Sequence, residues 1–280
     1  MPRAVATFDR SVDRRLVHRS SIAGVFLTSV RRQTADVWTL GVQVPRPWPV
    51  PPRRHPTTVP LTHGVEVLRQ CGLAVAHSGL DIPLDHAFTI QQISFGWSGP
   101  APRYPDFGPY EATARMQLVE RLVRRGTTTG LRLAFRLTAA THEVAVGGGV
   151  LRCLPRHQYD LLRRRAAPGP PVTRHDRAPV RRMVRRGGRV SGLVGWDHTD
   201  PFAFDHPTDH LPGMTLLRSA IDAAEAATSA RVRALDVSFD RFTEYAPPPT
   251  ISATPDPSGV VHVEVTQAGS ATTRGLLRVG

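Results

Sequence analysis

The stretch Phe204-Asp205-His206-Pro207-Thr208-Asp209-His210-Leu211-Pro212-Gly213-Met214 gathers two carboxylates and two imidazoles ahead of a Pro-Gly step. Imidazole exchanges protons near neutral pH, and a carboxylate beside it can fix which ring nitrogen does so. Leu216, Leu217 and the spaced Ala220, Ala223, Ala224 and Ala227 follow, which predicts a helix opening at that step. The first N–H groups of such a helix lack intrahelical partners and can hold a developing negative charge. The simpler reading is that Asp209 or His210 only caps the helix, or that Asp209 orients His210. So many ionisable groups in so short a run favour a site. A second set, Glu66, Arg69 and Gln70, sits within a second predicted helix, Gly64 to His77. Glu66 and Arg69 are three residues apart, the spacing of an ordinary ion pair as well as of a buried functional pair. His77, at the helix end, can simply complement the dipole there.

Two blocks of strands, each with one such helix, must position these groups. In the first, Ile22 to Thr28 and Val37 to Val44 alternate like strands, and a Pro-rich loop runs from Pro45 to Pro60. The helix Gly64 to His77 follows, with Val65, Leu68, Leu73 and Ala76 on one face, and then strands at Phe88 to Phe95, Tyr110 to Val119, Leu131 to Thr138 and Glu143 to Leu151. The second block repeats this order: a strand at Val190 to Val194, the Asp/His loop, the helix Met214 to Ala227, and strands near Val232 to Phe239, Thr250 to Ala253, Val260 to Thr266 and Thr272 to Val279. Aligning the helices sets Glu66-Val67-Leu68-Arg69-Gln70 opposite Arg218-Ser219-Ala220-Ile221-Asp222, and brings His55-Pro56-Thr57 within one residue of His206-Pro207-Thr208. That is the mark of an internal duplication. Neither helix can hide its apolar surface without a sheet around it, so the expected fold is α+β, a tandem double hot-dog. The expected domains are an N-terminal tail over 1–15, repeat 1 over 16–151, an Arg/Pro-rich linker over 152–178 and repeat 2 over 179–280.

The chain has 280 residues, with 36 basic and 23 acidic ones for a net charge of +13, and every basic residue is arginine. That usage, with abundant Ala, Pro and Gly, reflects a GC-rich coding bias as much as function. The remaining positive field steers anionic partners. The Arg152 to Arg189 cluster reads as a solvated, charged linker. With few aromatics nearby and no helix-turn-helix pattern, no specific nucleic-acid binding is expected. No apolar run reaches membrane-span length and no signal-peptide core precedes Arg14, so the expected compartment is the cytosol, with no membrane partner. Cys71 and Cys153 are expected as free thiols, and no His, Cys or Asp spacing suggests a metal or another cofactor.

The Asp/His loop and its helix resemble the hallmark of the A-factor biosynthesis family, enzymes that begin the synthesis of γ-butyrolactone and butenolide signals. The matching residues are Phe204, Asp205, His206, Pro207, Asp209, His210, Pro212, Gly213, Met214, Leu216 and Leu217. The first block resembles the same family through Val17-His18-Arg19, Val25 to Thr28, Glu66, Arg69, Gln70, His77 and Ile82-Pro83-Leu84-Asp85-His86. Phe239, Phe242, Glu244 and Pro248 extend the match. The family's second helix carries a glutamate and an Arg-Gln pair where this chain has Arg218 and Ile221-Asp222.

The resemblance implies transfer of a β-ketoacyl chain from an acyl carrier protein to the hydroxyl of dihydroxyacetone phosphate. By analogy with hot-dog dehydratases, which combine a loop histidine with a helix glutamate, Glu66 and His206 are expected to form one working site, with His55 and Arg218 forming a disabled one. Glu66, His206 or His210 would take the proton, with Asp209 in support. Arg69 or Arg19 would grip the phosphate. Gln70, Gly213 and Met214 would complete the substrate contacts, and Gly64 or Gly213 would let backbone approach the substrate closely. Val65, Leu68, Leu216 and Leu217 are the type of residue to line an acyl tunnel. The alternatives are a dehydratase or thioesterase acting on carrier thioesters, and a non-catalytic ligand-binding regulator.

Overall fold

The structure is a computed structural model that describes residues 6–46, 57–166 and 178–280. The chain forms two compact units: Met1–Phe88 with Phe95–Leu154, and Thr89–Ser94 with Pro155–Gly280. His55, the Pro-rich loop around it and the Pro168 to Pro171 segment fall wholly or partly outside the described residues.

In the first unit, β1 (Leu27–Thr34) and β2 (Val37–Val44) precede the helix α1 (Leu61–Leu80). β3 (Ala87–Trp97), of which Thr89–Ser94 groups with the second unit, β4 (Tyr110–Arg124), β5 (Thr127–Ala139) and β6 (His142–Leu154) follow. The strands lie in the order β1-β2-β4-β5-β6-β3. The second unit opens with a short helix, α2 (Arg156–Arg163), and then β7 (Val180–Arg186) and β8 (Arg189–Val194) precede the long helix α3 (Gly213–Thr228). β9 (Val232–Phe239), β10 (Thr250–Pro255), β11 (Val260–Gln267) and β12 (Ser270–Val279) complete it. Their order, β7-β8-β10-β11-β12-β9, is that of the first unit strand for strand. Two strands, a long helix, then four strands with the same spatial permutation is what a duplicated hot-dog requires.

The long helices are more deeply enclosed than their sequence pattern suggests. α1 buries Val67, Ala74 and Val75 as well as the expected Val65, Leu68, Leu73 and Ala76. A helix apolar nearly all round belongs inside a wrapped sheet. Small residues set how closely the wrap can approach. A Cβ built on Gly64 would stand 2.4 Å from Phe95 Cζ and 2.9 Å from Trp97 Cη2, and one on Gly79 would stand 2.5 Å from Trp38 Nε1. Ring packing alone therefore requires glycine at position 64. Gly64→Ala is expected to destabilise the protein by about 1–3 kcal/mol through overpacking, read as a lower urea midpoint at unchanged slope.

Three local expectations change. Ile22–Gly24 is a turn of 3-10 helix capped by Ser21, so the first strand begins only at Leu27. β7 escapes periodicity because Arg181, Arg182, Arg185 and Arg186 crowd it, yet its backbone pairs with β8. The interval read as linker contains α2, which belongs to the second unit. Cys71 and Cys153 are free and buried.

Candidate active site

Glu66 is the centre of the first unit's polar network, with no exposed surface. Its Oε1 accepts hydrogen bonds from Arg19 Nε at 3.1 Å, Arg69 Nη2 at 2.8 Å and Gln70 Nε2 at 2.7 Å, and its Oε2 accepts from Arg69 Nε at 2.8 Å. Burial alone would raise this carboxyl. The charge and hydrogen bonds of Arg69, then Arg19 and Gln70, outweigh burial and hold it below the ordinary glutamate value. Glu66 is thus a fixed negative charge and not the proton-ready, desolvated base expected of it.

Gln70 is likewise spent internally. Its Oε1 accepts from Phe26 N at 2.8 Å, and its Nε2 donates to Gly24 O at 2.8 Å as well as to Glu66. It staples the 3-10 turn to α1 and offers no surface to a substrate. The Arg19 side chain is 5% exposed, while that of Arg69 is 16% exposed, so Arg69 is the better placed of the two to meet an anion. Arg69 Nη2 also donates to Val17 O at 3.2 Å, holding the Val17-His18-Arg19 segment against α1. There His18 Nε2 lies 2.8 Å from His77 Nε2, and His77 Nδ1 lies 2.7 Å from the Ile82 carbonyl. His77 is therefore one link in a series of hydrogen-bonded groups and not merely a complement to the helix dipole.

In the second unit each loop histidine is held by the aspartate before it. His206 Nδ1 is 2.6 Å from Asp205 Oδ1, and His210 Nδ1 is 2.6 Å from Asp209 Oδ1. Asp209 does not cap α3, whose N-cap is Pro212 without any side-chain hydrogen bond. Instead its carboxylate accepts from Tyr159 Oη at 2.8 Å and Arg163 Nε at 2.7 Å, both on α2. Arg163 also donates to Glu244 Oε1 at 2.6 Å and Oε2 at 2.8 Å, and its guanidinium stands 4.4 Å over the Phe242 ring. The ring of His210 meets Phe242 edge-on at 4.7 Å. Burial works against the Asp209 charge, but hydrogen bonds from His210, Arg163 and Tyr159 prevail and hold its carboxyl well below the usual range. Tyr159 and Arg163 are the residues that sequence reading missed. Their i,i+4 spacing on an amphipathic turn is the one signal that marked them.

Gly213 opens α3 where an added Cβ would stand 3.4 Å from the Phe239 ring, and Met214 is buried in the core. Arg218, which replaces the expected helix glutamate, pairs with Asp200 and so ties the Asp197 to Asp200 turn to α3. Leu216 and Leu217 are buried. Among the described residues no group of three or more His, Cys, Asp or Glu could hold a metal ion, and no helix is long and apolar enough to cross a membrane.

A long helix embedded in a six-stranded antiparallel sheet, present twice, defines a hot-dog protein. The chain belongs to the family of the A-factor biosynthesis hotdog domain, whose model matches residues 2–155. A Streptomyces virginiae protein named 2-oxo-3-(phosphooxy)propyl 3-oxoalkanoate synthase is 29% identical to it over 270 residues, covering 89% of this chain and 88% of that one. A Streptomyces coelicolor protein of the same name is 26% identical over 286 residues, covering 90% and 85%. Among solved structures, an acyl-ACP thioesterase from Bacteroides thetaiotaomicron aligns over 87% of this chain and 98% of its own, with a TM-score of 0.53 at 13% identity. A protein described as an oleoyl thioesterase from Lactobacillus plantarum aligns over 88% and 97%, with a TM-score of 0.54 at 10% identity. These two likenesses concern the fold alone.

Proposed function

We propose that the protein is an acyltransferase that moves a β-ketoacyl group from an acyl carrier protein thioester to the hydroxyl of dihydroxyacetone phosphate, the first step toward a butyrolactone or butenolide signal. The observation that carries this reading is the similarity, over 85% or more of each chain, to two proteins named for a phosphooxypropyl oxoalkanoate product. The buried trio supports it, because two guanidinium groups gathered on one carboxylate, with Arg69 the more exposed, suit recognition of a phosphate. Glu66 then acts by holding Arg19 and Arg69 in place.

In this reading the acceptor oxygen attacks the thioester carbonyl carbon, a C–O bond forms, the C–S bond breaks, and the carrier leaves as a thiol. His206 and His210 act on the acyl donor, where charge gathers on the thioester oxygen, with Asp209 orienting His210. The His206 side chain is 49% exposed and so open to a ligand, whereas that of His210 is 25% exposed. The positive surface of this arginine-rich chain favours encounter with an acidic carrier.

Purified protein given a β-ketoacyl carrier thioester should release carrier thiol only when dihydroxyacetone phosphate is also present. His206→Ala and His210→Ala should each slow that release by about 100-fold or more. Release that ignores the acceptor would indicate a thioesterase instead.

A further inference from the structure

We propose that the outer face of α2 docks the acidic acyl carrier protein, an inference that rests on the transferase reading above and seats the carrier beside the histidine loop. α2 is inside out for a surface helix. Its inward residues are polar: Tyr159 Oη and Arg163 Nε donate to Asp209 at 2.8 and 2.7 Å, and Arg163 donates also to Glu244. Its outward residues include two adjacent leucines, Leu161 at 56% and Leu162 at 57% exposure. A helix on a globular surface ordinarily does the reverse, with its apolar stripe against the core. Here hydrogen bonds and ion pairs hold the helix down, and its leucines are left to water.

His157 precedes Leu161 by one turn and Gln158 precedes Leu162 in the same way, so the two leucines lie side by side on the solvent face. Arg164 and Arg165, both exposed, follow where the helix ends. Among the described residues no carboxylate pairs with either arginine, whereas Arg156, at the other end, is matched by Asp160 at 2.9 Å. The face is thus an apolar spot with two uncompensated positive charges at its edge. It suits a partner whose own apolar spot is rimmed by carboxylates, because leucine burial at the centre then combines with arginine–carboxylate pairs at the rim.

Two other occupants suit it less. A two-fold contact with a second copy would match the patch with itself, and the only carboxylate it offers, Asp160, is already held by Arg156. A membrane-surface helix carries a broader apolar face, with Trp or Phe among its anchors, than two leucines on eight residues. Position favours the carrier as well. An α-helix is about 10 Å across, so a carrier on the outer face stands about that far from the Asp209 carboxylate, which lies 2.6 Å from His210 Nδ1. A thioester on the carrier's flexible arm then reaches His210 and the more exposed His206 within the same unit.

The test compares full-length wild type with two double variants, Leu161→Ser with Leu162→Ser and Arg164→Glu with Arg165→Glu. Binding of an acidic acyl carrier protein loaded with a β-ketoacyl chain is read by fluorescence anisotropy in the absence of acceptor. Acceptor-dependent thiol release is read with two donors, that carrier thioester and the same acyl group on N-acetylcysteamine. Each double variant should weaken carrier binding and raise the KM for the carrier thioester by about tenfold or more, while leaving the N-acetylcysteamine reaction within about twofold of wild type. Added salt should weaken wild-type binding more than that of the arginine variant. Carrier binding within about twofold of wild type in either folded variant, or equal losses with both donors, would overturn the proposal. So would a wild-type dimer that the leucine variant dissociates, or co-sedimentation with phosphatidylglycerol vesicles through these four residues in preference to the carrier. Carrier binding that depends on the four residues, without acceptor-dependent release, would uphold the docking surface and overturn the transferase reading alone.

Discussion

Glu66→Gln is expected to lower the unfolding free energy by about 3–5 kcal/mol at neutral pH, because it leaves Arg19 and Arg69 charged in a site that no longer holds their counter-ion. Urea unfolding measures this directly. Arg69→Met should cost less, since Arg19 still accompanies the carboxylate and the Arg69 side chain is the more exposed of the two. The pH dependence has a definite sign. The folded-state pKa of Glu66 lies below its ordinary value of 4.5, so the stabilisation is complete above that value and is lost as pH falls through the folded pKa. Glu66→Gln should lack this acid-side component while keeping that of the surface carboxylates. A variant as stable as wild type would show that the trio is not the structural pivot of the first unit.

Arg163→Met is expected to produce the second large effect, on the other unit. Its guanidinium, 8% exposed in side chain, joins Asp209 to Glu244 and covers Phe242, so its loss strands two carboxylates and unseats α2. These carboxylates are about a third exposed, at 36% and 30%, and water recovers part of the loss. The expected destabilisation is therefore about 1–3 kcal/mol, below the cost at a fully buried pair. Asp209 should titrate at higher pH without Arg163, and thiol release should fall by about tenfold as His210 loses its fixed partner. Arg163→Lys should not restore the rate, because one ammonium cannot reproduce a fork that reaches the Asp209 carboxylate, the Asp209 carbonyl and both Glu244 oxygens. Carboxylate titration followed by NMR, together with the thiol assay, checks both halves of this expectation.

What the sequence made legible follows from where periodicity is strong. Val37–Val44 and Val232–Phe239 carry enough apolar patterning to read as strands and are strands over those residues, and the Ala-rich face of α3 is buried as expected. Ile22 to Val25 is apolar enough to resemble a strand, but Ser21 caps it into a turn that Gln70 then binds from a distant helix. Only the tertiary structure supplies that partner. β7 is hidden because its arginines mask the period of two, and strand pairing there rests on backbone groups that no side chain announces.

The site is legible to a different depth. Glu66, Arg69 and the Asp/His loop stand out by residue type, yet their states do not, because these depend on burial and partners. The spacing of Glu66 and Arg69 suggests either a weak surface pair or an active base. The structure shows a third condition, a carboxylate buried under two guanidinium groups. His18 gains its meaning from His77, far along the chain, and Asp209 gains its own from Tyr159 and Arg163 in a segment that composition presents as solvated linker.

Whether this hot-dog pair joins an acyl chain to a phosphorylated three-carbon acceptor is tested most directly by mass spectrometry of the products formed from a β-ketoacyl carrier thioester and ¹³C-labelled dihydroxyacetone phosphate. The expected result is one new species that retains the phosphate, all the labelled carbons and the intact β-ketoacyl group, formed in step with free carrier thiol. Free β-keto acid beside unlabelled products, with the acceptor recovered unchanged, would contradict it.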